Sequence, residues 1–173
     1  KGLLKSALID PDPVIFMESE VMYGDKGHVP EEEYYLPIGK ANIVKEGTDV
    51  TIVSFGKMVP RVVLPAVEEL TKEGINVEVI DLRSVRPIDF PAIIESVKKT
   101  NRLVILEEAW PLASISTEIA YMVQQKAFDY LDAPVKRITT KDTSAPYAPN
   151  LFKEWFPQAK EVVAAVKAVM YKS

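Results

Sequence analysis

Four short runs of β-branched and apolar residues, each followed by a segment of helical period, constrain this chain more than any other feature. Val50-Thr51-Ile52-Val53-Ser54-Phe55 reads as a strand. Val59, Val62, Val63, Ala66, Val67 and Leu70 then recur at the spacing of one helix face, and Gly74 closes that segment. Pro65 interrupts it, because proline has no amide for a helix interior, so the regular helix either starts near Leu64 or is kinked. Val77 to Leu82 is a second strand, and Asp89 caps a helix over Pro91 to Lys98. Leu103 to Leu106 is a third strand. Ser114, Ser116 or Thr117 caps the helix that carries Ile115, Ile119, Met122 and Val123. Val135 to Ile138 is a short fourth strand, followed by a closing helix with Val162, Val163, Val166, Val169 and Met170 in a stripe.

Strands separated by helices of this length pair in parallel, with helices on both faces. The expected fold class is α/β: a three-layer sandwich with a mostly parallel sheet and one antiparallel edge strand. The short fourth strand is the candidate for that edge. Ahead of this region the reading is different. Lys1 to Leu8 resembles the end of a helix, stopped by Asp10-Pro11-Asp12-Pro13, and Val14-Ile15-Phe16-Met17 suits a buried strand. A polar stretch rich in Gly, Pro and Glu follows to about Lys45 and reads as a solvated linker, with Tyr34, Tyr35 and Leu36 as a patch that packs on a neighbour. The chain starts at Lys1 without a signal-peptide pattern and reads as a piece of something longer.

Composition removes most functional classes. The 173 residues include no cysteine and one histidine, His28, which excludes disulfides and thiolate chemistry and leaves little for a zinc site or a Ser-His-Asp triad. With 21 basic against 25 acidic residues and no basic stripe, nucleic acid is not an expected partner. No apolar run approaches the ~20 residues of a membrane span. At the strand ends, where ligands of open α/β sheets sit, the turn Phe55-Gly56-Lys57-Met58 has one glycine and no phosphate-binding fingerprint. Arg83 and Arg86 read as structural ion-pair partners of Asp81, Asp89 or Glu107 rather than as an anion clamp. Glu107 and Glu108 are adjacent on a strand end, so they point to opposite faces and do not form a carboxylate pair. Trp110-Pro111 fits either core packing or an interface anchor, as does Asn150 to Pro157. No catalytic, cofactor-binding or metal-ligating residue is assigned.

Several segments, in order, resemble the β subunit of the thiamine-dependent first component of 2-oxo-acid dehydrogenase complexes. DPDPVIFMESEVMYG looks like the end of that family's pyrimidine-binding domain and the linker after it. YLPIGKANIVKEGTDVTIVSFG looks like the entry to its transketolase-like C-terminal domain, and DLRSVRPID, TNRLVILEEAWP and FDYLDAPVKRITTKDTSAPYAPN follow in family order. The division implied is 1–23 for the tail of the preceding domain, 24–46 for the linker and 47–173 for the transketolase C-terminal-like domain. MYG, YLPIGKA and DTSAPYA are closer to pyruvate dehydrogenases than to branched-chain enzymes, with acetoin dehydrogenases a near alternative. Ala109, Ser114 and Ser116 stand where the family often has glycine.

The resemblance implies a parent reaction, decarboxylation of pyruvate on thiamine diphosphate with magnesium and acetyl transfer to a lipoyl group. It also implies that the groups performing it lie outside this chain. What remains is assembly: pairing with a second β subunit, contact with the α subunit, and docking of the small basic subunit-binding domain of the dihydrolipoyl acyltransferase. By resemblance, Asp132 in YLDAP is the docking candidate, with Tyr171 and Ser173 beside it and Trp110 and Pro111 as interface candidates. The same turn aspartate could simply order the chain before Pro134. The implied compartment is cytoplasmic in a bacterium and mitochondrial or plastid in a eukaryote. A competing class is a self-contained α/β module that binds a nucleotide or effector near Gly56, Arg83 and Glu107.

Overall fold

The computed structural model describes residues 1–172 and forms one five-stranded sheet. Its strands are β1 (Asn42–Lys45), β2 (Val50–Ser54), β3 (Val77–Asp81), β4 (Leu103–Leu106) and β5 (Lys136–Ile138), in the order β1-β3-β2-β4-β5. The helices are α1 (Gly2–Ile9), α2 (Leu64–Lys72), α3 (Phe90–Thr100), α4 (Ile115–Ala127), α5 (Pro149–Trp155) and α6 (Ala159–Val169). The interior strands alternate their side chains between two apolar layers, as the pleat requires. Ile52, Val79, Val104 and Leu106 pack against Val63, Leu70, Val162 and Val166 of the α2–α6 side. Val53, Ile80, Leu103 and Ile105 pack against Ile93, Val97, Ile119 and Val123 on the α3–α4 side. The result is the expected three-layer sandwich.

The antiparallel edge belongs to a different strand from the one expected. β5 runs parallel to β4, with Ile105 opposite Arg137, whereas β1 pairs antiparallel with β3, with Asn42 opposite Asp81. The α4 crossover returns the chain to the same end of the sheet before β5 starts, which imposes a parallel strand. β1 lies within the stretch read as a linker.

The proline problem in the first helix is resolved by a five-residue π segment over Val59–Val63 that runs directly into α2. The Leu64 amide reaches back to the Val59 carbonyl, and this wider turn accommodates Pro65, which has no amide to return. Asp89 does cap α3, accepting from the Ala92 amide at 3.4 Å, and it also accepts from the Ala41 amide at 3.1 Å.

Val14 to Met17 forms no strand. Ile15 and Met17 are 91% and 85% exposed. One extended segment cannot satisfy its backbone or bury its side chains without neighbouring strands, so the apolar run stays in solvent. Tyr34 and Leu36 do find a neighbour, which is α1. Gly2 lies against both, Lys5 pairs with Glu33 at 2.7 Å, and the Ser6 hydroxyl donates to the Leu36 carbonyl at 2.6 Å.

Candidate functional site

Three places hold the residues singled out in the sequence: the strand ends, the loop after β4, and the corner after α4. The strand ends come first because β2 and β4 are neighbours whose crossovers leave in opposite directions, the arrangement that opens a ligand crevice in many α/β sheets. Here an ion pair bridges it. Lys57, just after β2, pairs with Glu108, just after β4, at 2.8 Å, and its ammonium lies over the Phe156 ring at 5.3 Å. The cavities described lie elsewhere, one of about 350 Å³ beside Lys141, Lys153 and Lys160, the other of about 480 Å³ beside Lys45, Leu64 and Val67.

Glu107 and Glu108 diverge as strand alternation requires. Glu107 is fully buried, and Oε1 accepts from the Ser116 amide at 3.2 Å and from the Ser116 hydroxyl. A carboxylate thus meets the first turn of α4, where free amides and the helix dipole favour negative charge. Its other oxygen, Oε2, is buried with no hydrogen-bond partner. Arg137 Nη2 stands 4.0 Å from the hydrogen-bonded oxygen, Oε1. Among the described residues, neither Arg83 nor Arg86 comes within ion-pair distance of a carboxylate. Arg83 instead adopts a left-handed backbone (φ 57°) and donates its amide to Asp81 Oδ1 at 3.1 Å. Burial pushes the Asp81 carboxyl above the usual aspartate range, against the Arg83 amide and guanidinium, which pull it down.

Arg137 was not singled out in the sequence, and it organises the second place. Its Nε donates to the Ser116 hydroxyl at 2.7 Å, and Nη2 donates to the Pro111 carbonyl at 2.6 Å and to the Ser114 hydroxyl at 2.9 Å. Ser114 and Ser116 therefore supply its partners. The loop it braces presents an apolar tip, with Trp110 exposed and Leu112 82% exposed. The Trp110 and Trp155 indoles donate to one carbonyl, that of Thr143, each at 3.0 Å.

The third place gathers Asp132 and Tyr171, 39 residues apart in sequence. The Tyr171 hydroxyl donates to the Asp132 carbonyl at 3.1 Å, and the Asp132 amide donates to the Asn101 carbonyl at 2.9 Å. Asn101 Nδ2 reaches the Tyr130 carbonyl at 2.8 Å. The Asp132 carboxylate is 55% exposed and pairs with Arg102 at 3.1 Å. Phe128, Tyr130 and Tyr171 are all exposed around it, and Lys98 lies over the Tyr130 ring at 5.7 Å. Ser173 lies outside the described residues.

The strand ends carry no glycine-rich phosphate-binding loop. Gly56 alone cannot form a diphosphate cradle, and the crevice is bridged by Lys57 and Glu108. Among the described residues, no cluster of three or more His, Asp or Glu is placed to hold a metal. No described helix is long and apolar enough to cross a membrane.

Residues 39–162 match the family described as transketolase, C-terminal domain. The pyruvate dehydrogenase E1 component subunit beta of Rhizobium meliloti (strain 1021) is 55% identical over 99% of this chain and 37% of its own length. The mitochondrial subunit beta-1 of Oryza sativa subsp. japonica is 49% identical over 100% of this chain and 47% of its own. For the Rickettsia felis subunit beta the identity is 48%, over 100% of this chain and 53% of its own length. This chain therefore spans about half or less of the curated relatives it matches. A solved split-gene transketolase, described as an inactive β4 tetramer, superposes with a TM-score of 0.71 at 29% identity, covering 79% of this chain and 44% of that one.

Proposed function

The chain belongs to the transketolase C-terminal domain family, and from that premise we propose that it is the C-terminal assembly and docking part of a pyruvate dehydrogenase β subunit. In this reading the parent enzyme decarboxylates pyruvate on thiamine diphosphate and magnesium and passes the acetyl group to a lipoyl arm. The catalytic groups come from the preceding domain and the α subunit, and this part alone is inactive. Similarity to β subunits along 99% of the chain supports the substrate assignment over the acetoin and branched-chain alternatives.

The proposed division keeps 1–23 as the end of the preceding domain, which the solvent-exposed Val14 to Met17 supports, since such a run belongs in a sheet. Residues 24–46 join the two, and their last part enters the sheet as β1. The braced apolar loop with Trp110 and Pro111 is the proposed pairing surface toward other subunits, because rigid aromatic anchors lose little entropy on binding. The compartment follows the source: the plant relatives are named mitochondrial and the Rhizobium relative is not.

The observation that carries docking is the Asp132 corner. A half-exposed carboxylate on a backbone fixed by Asn101 and Tyr171, beside exposed tyrosines, presents acceptor oxygens to a basic side chain. A self-contained nucleotide or effector module would need an open crevice near Gly56 and Glu107, where Lys57 and Glu108 are paired.

Titration of the acyltransferase subunit-binding domain into the assembled enzyme tests the docking role. Asp132→Ala is expected to weaken binding at least about tenfold, equivalent to ~1.4 kcal/mol. Unchanged affinity would remove Asp132 from the site, and no binding by the wild-type assembly would sink docking itself.

A further inference from the structure

We propose that Arg102 limits the affinity of the docking corner by competing for the Asp132 carboxylate; this rests on the docking reading above. Arg102 is anchored independently of Asp132. Its Nε donates to the Val169 carbonyl at 3.2 Å, at the end of α6, and Nη1 to the Asp49 carbonyl at 3.4 Å, at the start of β2. These bonds deliver Nη2 to Asp132 Oδ2 at 3.1 Å. Asp132 is equally fixed from its backbone, through the Asn101 carbonyl and the Tyr171 hydroxyl. The guanidinium cannot swing away without breaking bonds that have nothing to do with the pair, and the backbone that carries Asp132 is held in the same way.

An approaching basic side chain therefore meets a carboxylate already half neutralised. It has Oδ1 to bind, and a guanidinium stands on the far side of the same group. The attraction to Asp132 is offset by repulsion from Arg102 a few ångströms farther away, and Coulomb's law makes these two terms comparable. Lys98, over the Tyr130 ring, adds a second cation on the α3 side of the corner. The pair is solvent-accessible, so it contributes little to folding while it acts fully on a ligand that displaces the water. Such an arrangement suits a partner that must bind and exchange. It selects a guanidinium or ammonium that shares the carboxylate with Arg102 over one that needs both oxygens.

The test uses the assembled enzyme and the acyltransferase subunit-binding domain, by calorimetry at low and moderate salt. Arg102→Gln and Arg102→Met remove the charge, and Arg102→Lys keeps it while giving up the fork. At low salt both neutral variants are expected to bind at least about threefold tighter than wild type, with a steeper loss of affinity on adding salt. Arg102→Lys is expected to stay within about twofold of wild type. In an Asp132→Ala background, Arg102→Gln no longer frees a carboxylate and is expected to gain less than it does in wild type, a coupling between the two positions that a merely structural role for Arg102 would not produce. Neutral variants that bind as wild type or more weakly, while Asp132→Ala still weakens binding, overturn the competition and leave docking in place. If Asp132→Ala binds as wild type, Asp132 leaves the site and the inference falls with it, whereas no binding by the wild-type assembly sinks the docking reading itself.

Discussion

Replacing Glu78 with alanine is expected to lower folding stability by about 3 kcal/mol, read by equilibrium urea unfolding and as a fall of roughly 6–12 °C in thermal midpoint. Glu78 is on β3 with its side chain 1% exposed, an uncommon place for a carboxylate. It is tolerated because every surrounding element donates to it. Ser96 of α3 donates its hydroxyl at 2.5 Å, the Gly47 amide donates at 3.2 Å, and Lys99 closes the site as an ion pair. The Ser96 hydroxyl is in turn 2.6 Å from that of Thr51 on β2, which lies 2.7 Å from that of Thr100. Gly47 is required for this approach, since a Cβ there would run into the Val77–Glu78 backbone. Alanine at position 78 would leave the Gly47 amide and the Ser96 hydroxyl short of an acceptor, and would leave a void at the base of the sheet.

The same site has a pH signature. Burial pushes the Glu78 carboxyl up, but the bonds from Lys99, Ser96 and the Gly47 amide outweigh it and hold the group below the usual glutamate range. A folded value below the unfolded one means that the stabilisation is complete above the unfolded value of about 4.3 and is lost as pH falls through the folded value. Glu78→Gln keeps the acceptor and the shape and removes the charge. It is expected to cost only about 1 kcal/mol at neutral pH, because Lys99 is partly exposed and its attraction is screened. Its stability is also expected to fall less than that of wild type below about pH 4. An alanine variant within ~0.5 kcal/mol of wild type would show that the network contributes little.

Arg137→Ala is expected to cost about 2–4 kcal/mol and to loosen the loop over residues 110–113. The substitution strands four groups at once: the Pro111 carbonyl, the Ser114 and Ser116 hydroxyls, and the buried Glu107 carboxylate. The last is the most costly, since Glu107 already has one unpartnered oxygen and would lose the cation it faces. Partial rescue by Glu107→Gln follows from that account, because a neutral amide does not need the guanidinium and still presents an acceptor to Ser116. The double variant is therefore expected to be more stable than Arg137→Ala alone. Faster amide exchange at Trp110, Leu112 and Ala113 would report the lost brace directly. A double variant less stable than Arg137→Ala would refute the electrostatic explanation.

The site residues divide by how local their physics is. The divergence of Glu107 and Glu108 was legible because a strand end sends neighbouring side chains to opposite faces whatever surrounds it. The cap at Asp89 was legible because capping is settled within three residues. The partner of Glu107 was not, since reaching Arg137 depends on β5 lying beside β4 in one register. Arg83 and Arg86 flank Asp81 and Asp89 in the sequence, yet among the described residues neither forms an ion pair with them. The meeting of Tyr171 with Asp132 was only suggested by resemblance, and Arg102 carries no sequence signal at all for its place between Asp49, Asp132 and Val169.

By itself the sequence determined the layers. Period-two runs and helical stripes state which face of each segment is apolar, and a chain with three such strands and the helices between them has few ways to bury both faces. Tertiary structure alone decided direction and company. It turned β5 parallel because α4 carries the chain back to the starting end of the sheet, and it recruited Asn42–Lys45 as the antiparallel edge although that segment has almost no pattern of its own. It left Val14 to Met17 unpaired, because a strand exists only where another strand completes its hydrogen bonds. It also placed one arginine against a buried carboxylate and another against an exposed one. Charge pairing across elements follows from how those elements pack, and packing is a property of the whole chain.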